Sequence, residues 1–290
     1  MAAMELMAES TPFLLLVLAC LGLLVGSFLN VLVLRLPAMM EAEWRHEARA
    51  ILELPQQEQE PVPGLVHPRS RCPSCGHQIP WYENIPVLSW LVLRGRCSGC
   101  EAPISARYPV VELTAALLAV AAGAIAGYGP WLLFLLFASW MLLALALIDF
   151  DTTLLPDSLV YPLLWAGLLA AWLGVSPVSL ENAVAGTIAG YLALWSVYHV
   201  FRLLTGKEGM GHGDFKLLAA LGAWLGWQML PLVILLSSLV GAVVGGLLIA
   251  TGLVGRDQGI PFGPYLAGAG WIALLWGTEI VERYFALMGL

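Results

Sequence analysis

The chain alternates long uncharged apolar runs with short polar breaks, and the lengths of the runs set the first expectation. Thr11 to Leu34, Leu113 to Ile148, Ser158 to Leu180, Asn182 to Phe201, Leu217 to Gly255 and Gly259 to Thr278 contain no Asp, Glu, Lys or Arg. A helical membrane span needs roughly 20 apolar residues, so the second and fifth runs each hold two. Gly127-Tyr128-Gly129-Pro130 divides one of them, and Trp227-Gln228 before Pro231 divides the other. The pattern predicts an all-α polytopic membrane protein of about eight transmembrane helices, near 12–35, 109–127, 130–149, 158–174, 181–203, 214–227, 230–253 and 262–280. The sixth is short and contains glycine; if it only dips into the bilayer, the count is seven.

Composition narrows the class. Apolar residues make up 60% of the chain and charged residues 11%, too much hydrocarbon for a soluble domain of this size to hide. Cytoplasmic loops of membrane proteins collect Lys and Arg. With the N-terminus outside, only Arg283 of the 13 basic residues falls on that side. The first ten residues carry Glu5 and Glu9 and no basic group, so the first run reads as a retained span rather than a cleaved signal. The net charge of −7 is spread through loops and offers no nucleic-acid surface.

The sizeable polar region is confined to residues 36–107, which divides the chain into a first span (1–35), a cytoplasmic insert (36–107) and a seven-helix core (108–290). Within the insert, Glu41 to Leu54 predicts a short surface helix. Pro55 to Pro61, with Pro63 and Gly64, predicts a mobile loop. Cys72-Pro-Ser-Cys75 and Cys97-Ser-Gly-Cys100 then supply four thiolates, which satisfy a tetrahedral zinc ion with no open position. Gly76 permits the tight turn that aims backbone N–H groups at sulfur, and Arg71 and Arg96 help to offset the site's negative charge. A closed shell makes the zinc structural, folding a region too small to hold itself together. A pair of redox dithiols would need a thioredoxin-like βαβ pattern around it, and none is present. Cys20, inside the first span, is expected to be a small buried residue.

Charge at a membrane boundary is costly unless it is hydrated, paired or used. Asp149 closes one apolar run, and Asp214 opens another in Gly211-His212-Gly213-Asp214. In the predicted topology both reach the cytoplasmic edge, the third span going inward and the sixth outward. Two carboxylates that meet there can share one proton. The ionised member then activates a water while the protonated one hydrogen-bonds the scissile carbonyl. Asp151 lies two residues beyond Asp149, and Asp149 is preferred because it projects back toward the bundle. Asp157 reads as an N-cap and Lys216 as an interfacial cation, with His212 a turn residue. Gly209, Gly211 and Gly213 allow close approach or positive φ beside Asp214. Neither a His-Glu-x-x-His nor a Gly-x-Ser-x-Gly pattern occurs.

These landmarks resemble the type IV prepilin peptidases. The match runs through Gly26-Ser-Phe-Leu-Asn-Val31 with Arg35-Leu-Pro37, both Cys-x-x-Cys pairs, and Arg107-Tyr-Pro-Val-Val-Glu112. It continues through Ile148-Asp149, Leu155-Pro156-Asp157, Gly211-His-Gly-Asp214-Phe-Lys216 and Pro261-Phe-Gly-Pro264. The resemblance implies a bacterial inner-membrane aspartyl endopeptidase whose active site faces the cytoplasm. Its implied substrates are prepilins and pseudopilins, whose short basic leader is cut after a glycine. It further implies N-methylation of the new terminus with S-adenosylmethionine as cofactor, and catalytic acids at Asp149 and Asp214. It carries no oligomeric state.

The methyltransferase half leaves little trace. No Gly-x-Gly-x-x-Gly follows a strand, so no residue is assigned to S-adenosylmethionine. The insert is the region with material for such a site; Arg107 and Glu112 either pair or line it. Two rival classes fit parts of the pattern. A cation- or proton-coupled transporter with a structural zinc lobe also carries intramembrane acids, but at the midplane and commonly in repeated halves. A zinc-dependent assembly scaffold would need no acids at all.

Overall fold

The computed structural model describes residues 2–54, 64–255 and 259–288. Its helices are α1 (Ala2–Glu9), α2 (Thr11–Ile51), α3 (Leu88–Val92), α4 (Arg107–Ala126), α5 (Pro130–Thr152), α6 (Asp157–Trp172), α7 (Leu180–Thr205), α8 (His212–Leu225), α9 (Leu230–Ala250) and α10 (Gly263–Met288). Among the described residues the only β pairing is two isolated bridges, Arg71 with Gln78 and Arg96 with Pro103. The all-α class stands.

A helix occupies each of the eight expected spans. Among the described residues, five are long and apolar enough to cross a membrane: α2, α4, α5, α7, and α9 with the turn before it. The 14 residues of α8 rise only about 21 Å, short of a hydrocarbon core of roughly 30 Å. The 16 residues of α6 fall short in the same way, and the 26 of α10 are diluted by glycine and Glu279. Eight spans therefore remain an expectation for these three helices.

The first helix does not stop at residue 35. It continues through Pro37 to Ile51 as one 41-residue helix and absorbs the surface helix expected from Glu41. Proline removes one backbone hydrogen bond, but the strong helix formers that follow carry the helix on. Glu41 and Arg45 pair at 2.5 Å one turn apart. The expected mobile loop falls on residues 55–63, outside the described residues. Gly64 is described, and its carbonyl accepts a 2.6 Å hydrogen bond from Arg35.

The chain forms two compact units, Met1–Tyr128 and Gly129–Leu290. In the first, α2 and α4 pack closely because Gly22 and Gly26 present no side chain. A Cβ at Gly22 would lie 2.5 Å from the Ala116 Cα, and one at Gly26 would lie 2.6 Å from the Glu112 Cα. Small residues four apart allow such backbone approach between membrane helices. Cys20 is exposed, not buried. It sits two residues from Gly22, so helical geometry turns it away from the packed face.

In the second unit α8 is the hub. It packs against α6, α7, α9 and α10, and from Asp214 to Leu225 every residue but Lys216 is buried. Gly186 of α7 faces Gly222 of α8 backbone to backbone, and Gly190 meets the Leu218 carbonyl. The Trp224 indole N–H donates to the Leu163 carbonyl at 2.9 Å. A helix sheathed by its neighbours in this way has no need to match the bilayer thickness, which accounts for its shortness.

Candidate active site and metal centre

Asp149 lies near the end of α5 and is 5% exposed, whereas Asp151 is exposed. Two residues along a helix turn a side chain by roughly 200°, so the two acids face opposite ways. The Asp149 Oδ2 accepts the backbone N–H of Gly263 at 2.9 Å, at the first residue of α10. Helix N-termini expose unpaired N–H groups and favour a nearby anion. Only glycine fits there: a Cβ on residue 263 would lie 2.5 Å from that same oxygen. The sequence contains this Gly-Pro start, but nothing in it tells which acid the glycine serves.

Asp214 occupies the third position of α8 and is 7% exposed. It is not the N-cap; Gly211 is. The Asp214 carboxylate accepts the Gly211 backbone N–H, and the Asp214 N–H donates to the Gly211 carbonyl at 3.3 Å. The first of these bonds is one half of a capping box, with aspartate in the place of glutamate; Gly211 has no side chain to supply the other half. The charge of Asp149 acts on Asp214. Each acid thus sits at the start of a helix, one of α10 and the other of α8, and the two are brought within each other's field.

Leu155 closes the surroundings. A Cβ on Gly213 would lie 2.8 Å from the Leu155 Cβ, and one on Gly263 would lie 3.2 Å from its Cδ2. Gly213 therefore serves close packing, as does Gly209 against the Phe201 ring, whereas a Cβ on Gly211 would meet only an ordinary contact; none of the three has positive φ. Asp157 is not an N-cap either. It is the first residue of α6, and both its oxygens accept from the Lys216 Nζ at 2.8 Å. Lys216 also stands 5.6 Å from the centre of the Tyr161 ring, so it is tied to α6 instead of reaching freely for the interface. The His212 ring packs between Tyr198 and Phe215, at 5.2 and 5.4 Å.

The four cysteines of the first unit converge. Their sulfurs all lie within 4.8 Å of one another, with Cys72 to Cys100 at 3.8 Å and Cys75 to Cys97 at 4.0 Å. A tetrahedral ion with Zn–S bonds of about 2.3 Å spaces its sulfurs about 3.8 Å apart, so the donor set fits zinc. Each pair sits in the same short knuckle. Cys72 N–H donates to the His77 carbonyl and Gly76 N–H to the Cys72 carbonyl. In the second knuckle Cys97 donates to Ala102 and Glu101 to Cys97, all at 2.9 Å. Gly76 has φ +70°, and Glu101 takes the matching left-handed position at +60°.

The thiols cannot all ionise together unaided. Backbone N–H groups of Cys75 and Ser74 pull Cys72 down to about 6. At Cys100 the Ala102 N–H also pulls down, but the neighbouring sulfurs, led by Cys75, outweigh it and push the thiol up to about 12. A bound dication removes that conflict. His77 takes no part in the cluster; its Nε2 lies 3.2 Å from the Ser98 hydroxyl and 3.6 Å from Glu83.

Similarity to known proteins follows the two units. Residues 20–125 match the bacterial peptidase A24 N-terminal domain, and residues 136–246 match the type IV leader peptidase family. A prepilin leader peptidase/N-methyltransferase of Aeromonas hydrophila is 57% identical over 287 residues, covering 98% of each chain. Its namesake in Stutzerimonas stutzeri is 54% identical over 291 residues, again covering 98% of each. That of Pseudomonas aeruginosa is 54% identical over 276 residues, 93% of this chain and 92% of its own. No solved structure matches.

Proposed function

The chain belongs to the type IV leader peptidase family, and on that footing we propose that Asp149 and Asp214 are the catalytic acids of a prepilin leader peptidase. The observation that carries this is a pair of buried carboxylates, each held by a backbone N–H at a helix start and lying within electrostatic reach of each other. Like charges that act on each other in a buried site do not both ionise readily, so in this reading the pair holds one proton. The ionised acid draws a proton from water as the water attacks the carbonyl carbon of the scissile peptide. The protonated acid donates to the carbonyl oxygen and then helps to protonate the leaving amine. The Gly263 and Gly211 N–H groups keep both carboxyls oriented through the cycle. Family membership and end-to-end similarity to enzymes named for both activities set the transporter reading aside.

The substrates of this reading are prepilins and pseudopilins, whose apolar stem suits a membrane site and whose basic leader stays in water. The enzyme sits in the inner membrane with its N-terminus periplasmic. The insert and the dyad face the cytoplasm, as the distribution of Lys and Arg supports. Cys72, Cys75, Cys97 and Cys100 hold a structural zinc. The second activity methylates the new N-terminal amine; S-adenosylmethionine, when bound, supplies an electrophilic methyl group on a sulfonium. Asp149→Asn and Asp214→Asn, each tested in purified protein on a leader-bearing pilin peptide, should abolish cleavage with helicity unchanged. Normal cutting by either variant sinks the assignment.

A further inference from the structure

The peptidase chemistry leaves one cavity of the first unit without a role. It measures about 490 Å³, within the roughly 300–1,000 Å³ of small-molecule sites, and is walled by α2, α4 and the segment between them. Trp90 and Tyr108 contribute aromatic walls, Asn30, Glu83 and Glu112 polar groups, and Arg35 and Arg71 two cations that suit a ligand carboxylate. The Trp90 indole N–H is already satisfied by the Ile104 carbonyl at 3.1 Å, which leaves its ring as an apolar surface.

Glu112 stands out among these. It lies in the apolar helix α4 and is 7% exposed. Its carboxylate accepts the Val87 backbone N–H at 2.7 Å and the Ser27 hydroxyl, and neither donor is a cation. A carboxylate has about four acceptor positions, so two donors leave room for a third partner from the cavity. A buried acid without a counter-charge is costly, and one that lines a cavity is suited to a cationic ligand.

The donor to Glu112 is itself unusual. Val87 has φ +61° and ψ −49°, and around it Leu88 N–H donates to the Pro86 carbonyl at 2.6 Å. This is a three-residue turn of the rare, strained hand, occupied by a β-branched residue. Such strain persists only where the surroundings over-determine it, and it gathers at ligand clamps. Here the Glu112 carboxylate and the Val87 turn fix each other at the cavity wall.

We propose that this cavity binds S-adenosylmethionine, with Glu112 as the counter-charge to its sulfonium and the Val87 turn as the positioning element. The chemistry of the wall fits: a cation meets a buried acid, and an adenine meets aromatic surface. The inference rests on the methyltransferase half of the proposed function and is independent of the aspartate pair.

The test is equilibrium binding to full-length, zinc-loaded protein in detergent. S-adenosylmethionine is compared with S-adenosylhomocysteine, whose sulfur is neutral. Glu112→Gln keeps an acceptor for the Val87 N–H and removes the charge. It should weaken S-adenosylmethionine by about tenfold or more and S-adenosylhomocysteine by less than about threefold. Zinc content and helicity verify that the variant is folded. Glu112→Ala, which also releases the Val87 turn, should weaken both ligands. Equal losses of the two ligands in Glu112→Gln, or wild-type affinity for the charged one, overturn the assignment. Mass spectrometry of a processed substrate's N-terminus tests the underlying reading separately. A methylated terminus with an unaffected Glu112→Gln rejects the cavity alone, and an unmethylated one rejects the methyltransferase half.

Discussion

The four cysteines and the two aspartates both gather acidic groups into a small volume, yet they are assembled by opposite means. Each Cys-x-x-Cys pair is built by its own neighbours, through 2.9 Å backbone bonds within six residues, and the two knuckles repeat one pattern. The aspartates lie on different helices, and their orienting groups come from Gly211 and from Gly263, 114 residues beyond Asp149. The first site is a local motif whose four sulfurs are spaced to hold an ion. The second exists only once α5, α8 and α10 have packed. Damage to one should therefore take a different form from damage to the other.

The sharpest break comes from the dyad. Loss of a proposed catalytic acid in Asp149→Asn or Asp214→Asn should lower the rate of leader cleavage by about 10²–10⁴-fold. Zinc content should stay at wild-type level, measured by elemental analysis. Gly263→Ala should come next. Its Cβ falls 2.5 Å from the Asp149 carboxylate, and a displacement of about 1 Å in such a group costs on the order of 10²-fold. The loss should appear in kcat more than in KM, with the thermal midpoint nearly unchanged.

The cysteine site should respond in stability instead. Structural zinc contributes about 10–16 kcal/mol to folding in small domains, so its removal by a chelator, or Cys72→Ser with Cys97→Ser, should unfold residues 64–106. Limited proteolysis should cut there first, and the dyad of the second unit should still cleave peptide. Chelation that stopped hydrolysis at once, without structural change, would contradict this contrast. Gly26→Leu should be milder, destabilising the α2–α4 pair by about 1–3 kcal/mol, read by thermal unfolding in detergent. The smallest effect belongs to Asp157→Asn. It breaks a half-exposed pair with Lys216, at about 0.2–1 kcal/mol, and should leave cleavage close to wild type.

Much of this was legible in the residues, for reasons that differ by feature. Apolar runs longer than a soluble helix can bury marked a helix at each of the eight expected positions, with starts within a few residues, because bilayer thickness acts on each run separately. Helix ends were less legible. Pro37 lies just beyond the expected end of the first span, yet α2 passes through it, since one lost hydrogen bond is outweighed by the helix formers behind it. Cys20 was expected inside and lies outside, because a uniformly apolar helix does not announce which face it packs. Asp157 and Lys216 each had a plausible local role, and their pairing appears only when α6 and α8 lie side by side.

Helical class, span positions and the cysteine knuckles thus depend on interactions between residues close along the chain, where composition and spacing carry the information. Which acid faces inward, what orients it, and that a glycine 114 residues away must lack a side chain are decided by packing between distant helices. So is the cavity around Glu112, whose turn at Val87 takes a backbone conformation that no local preference of valine would select. Short-range forces choose the elements; only their assembly sets the distances at which two carboxylates, or a carboxylate and a cation, come to matter.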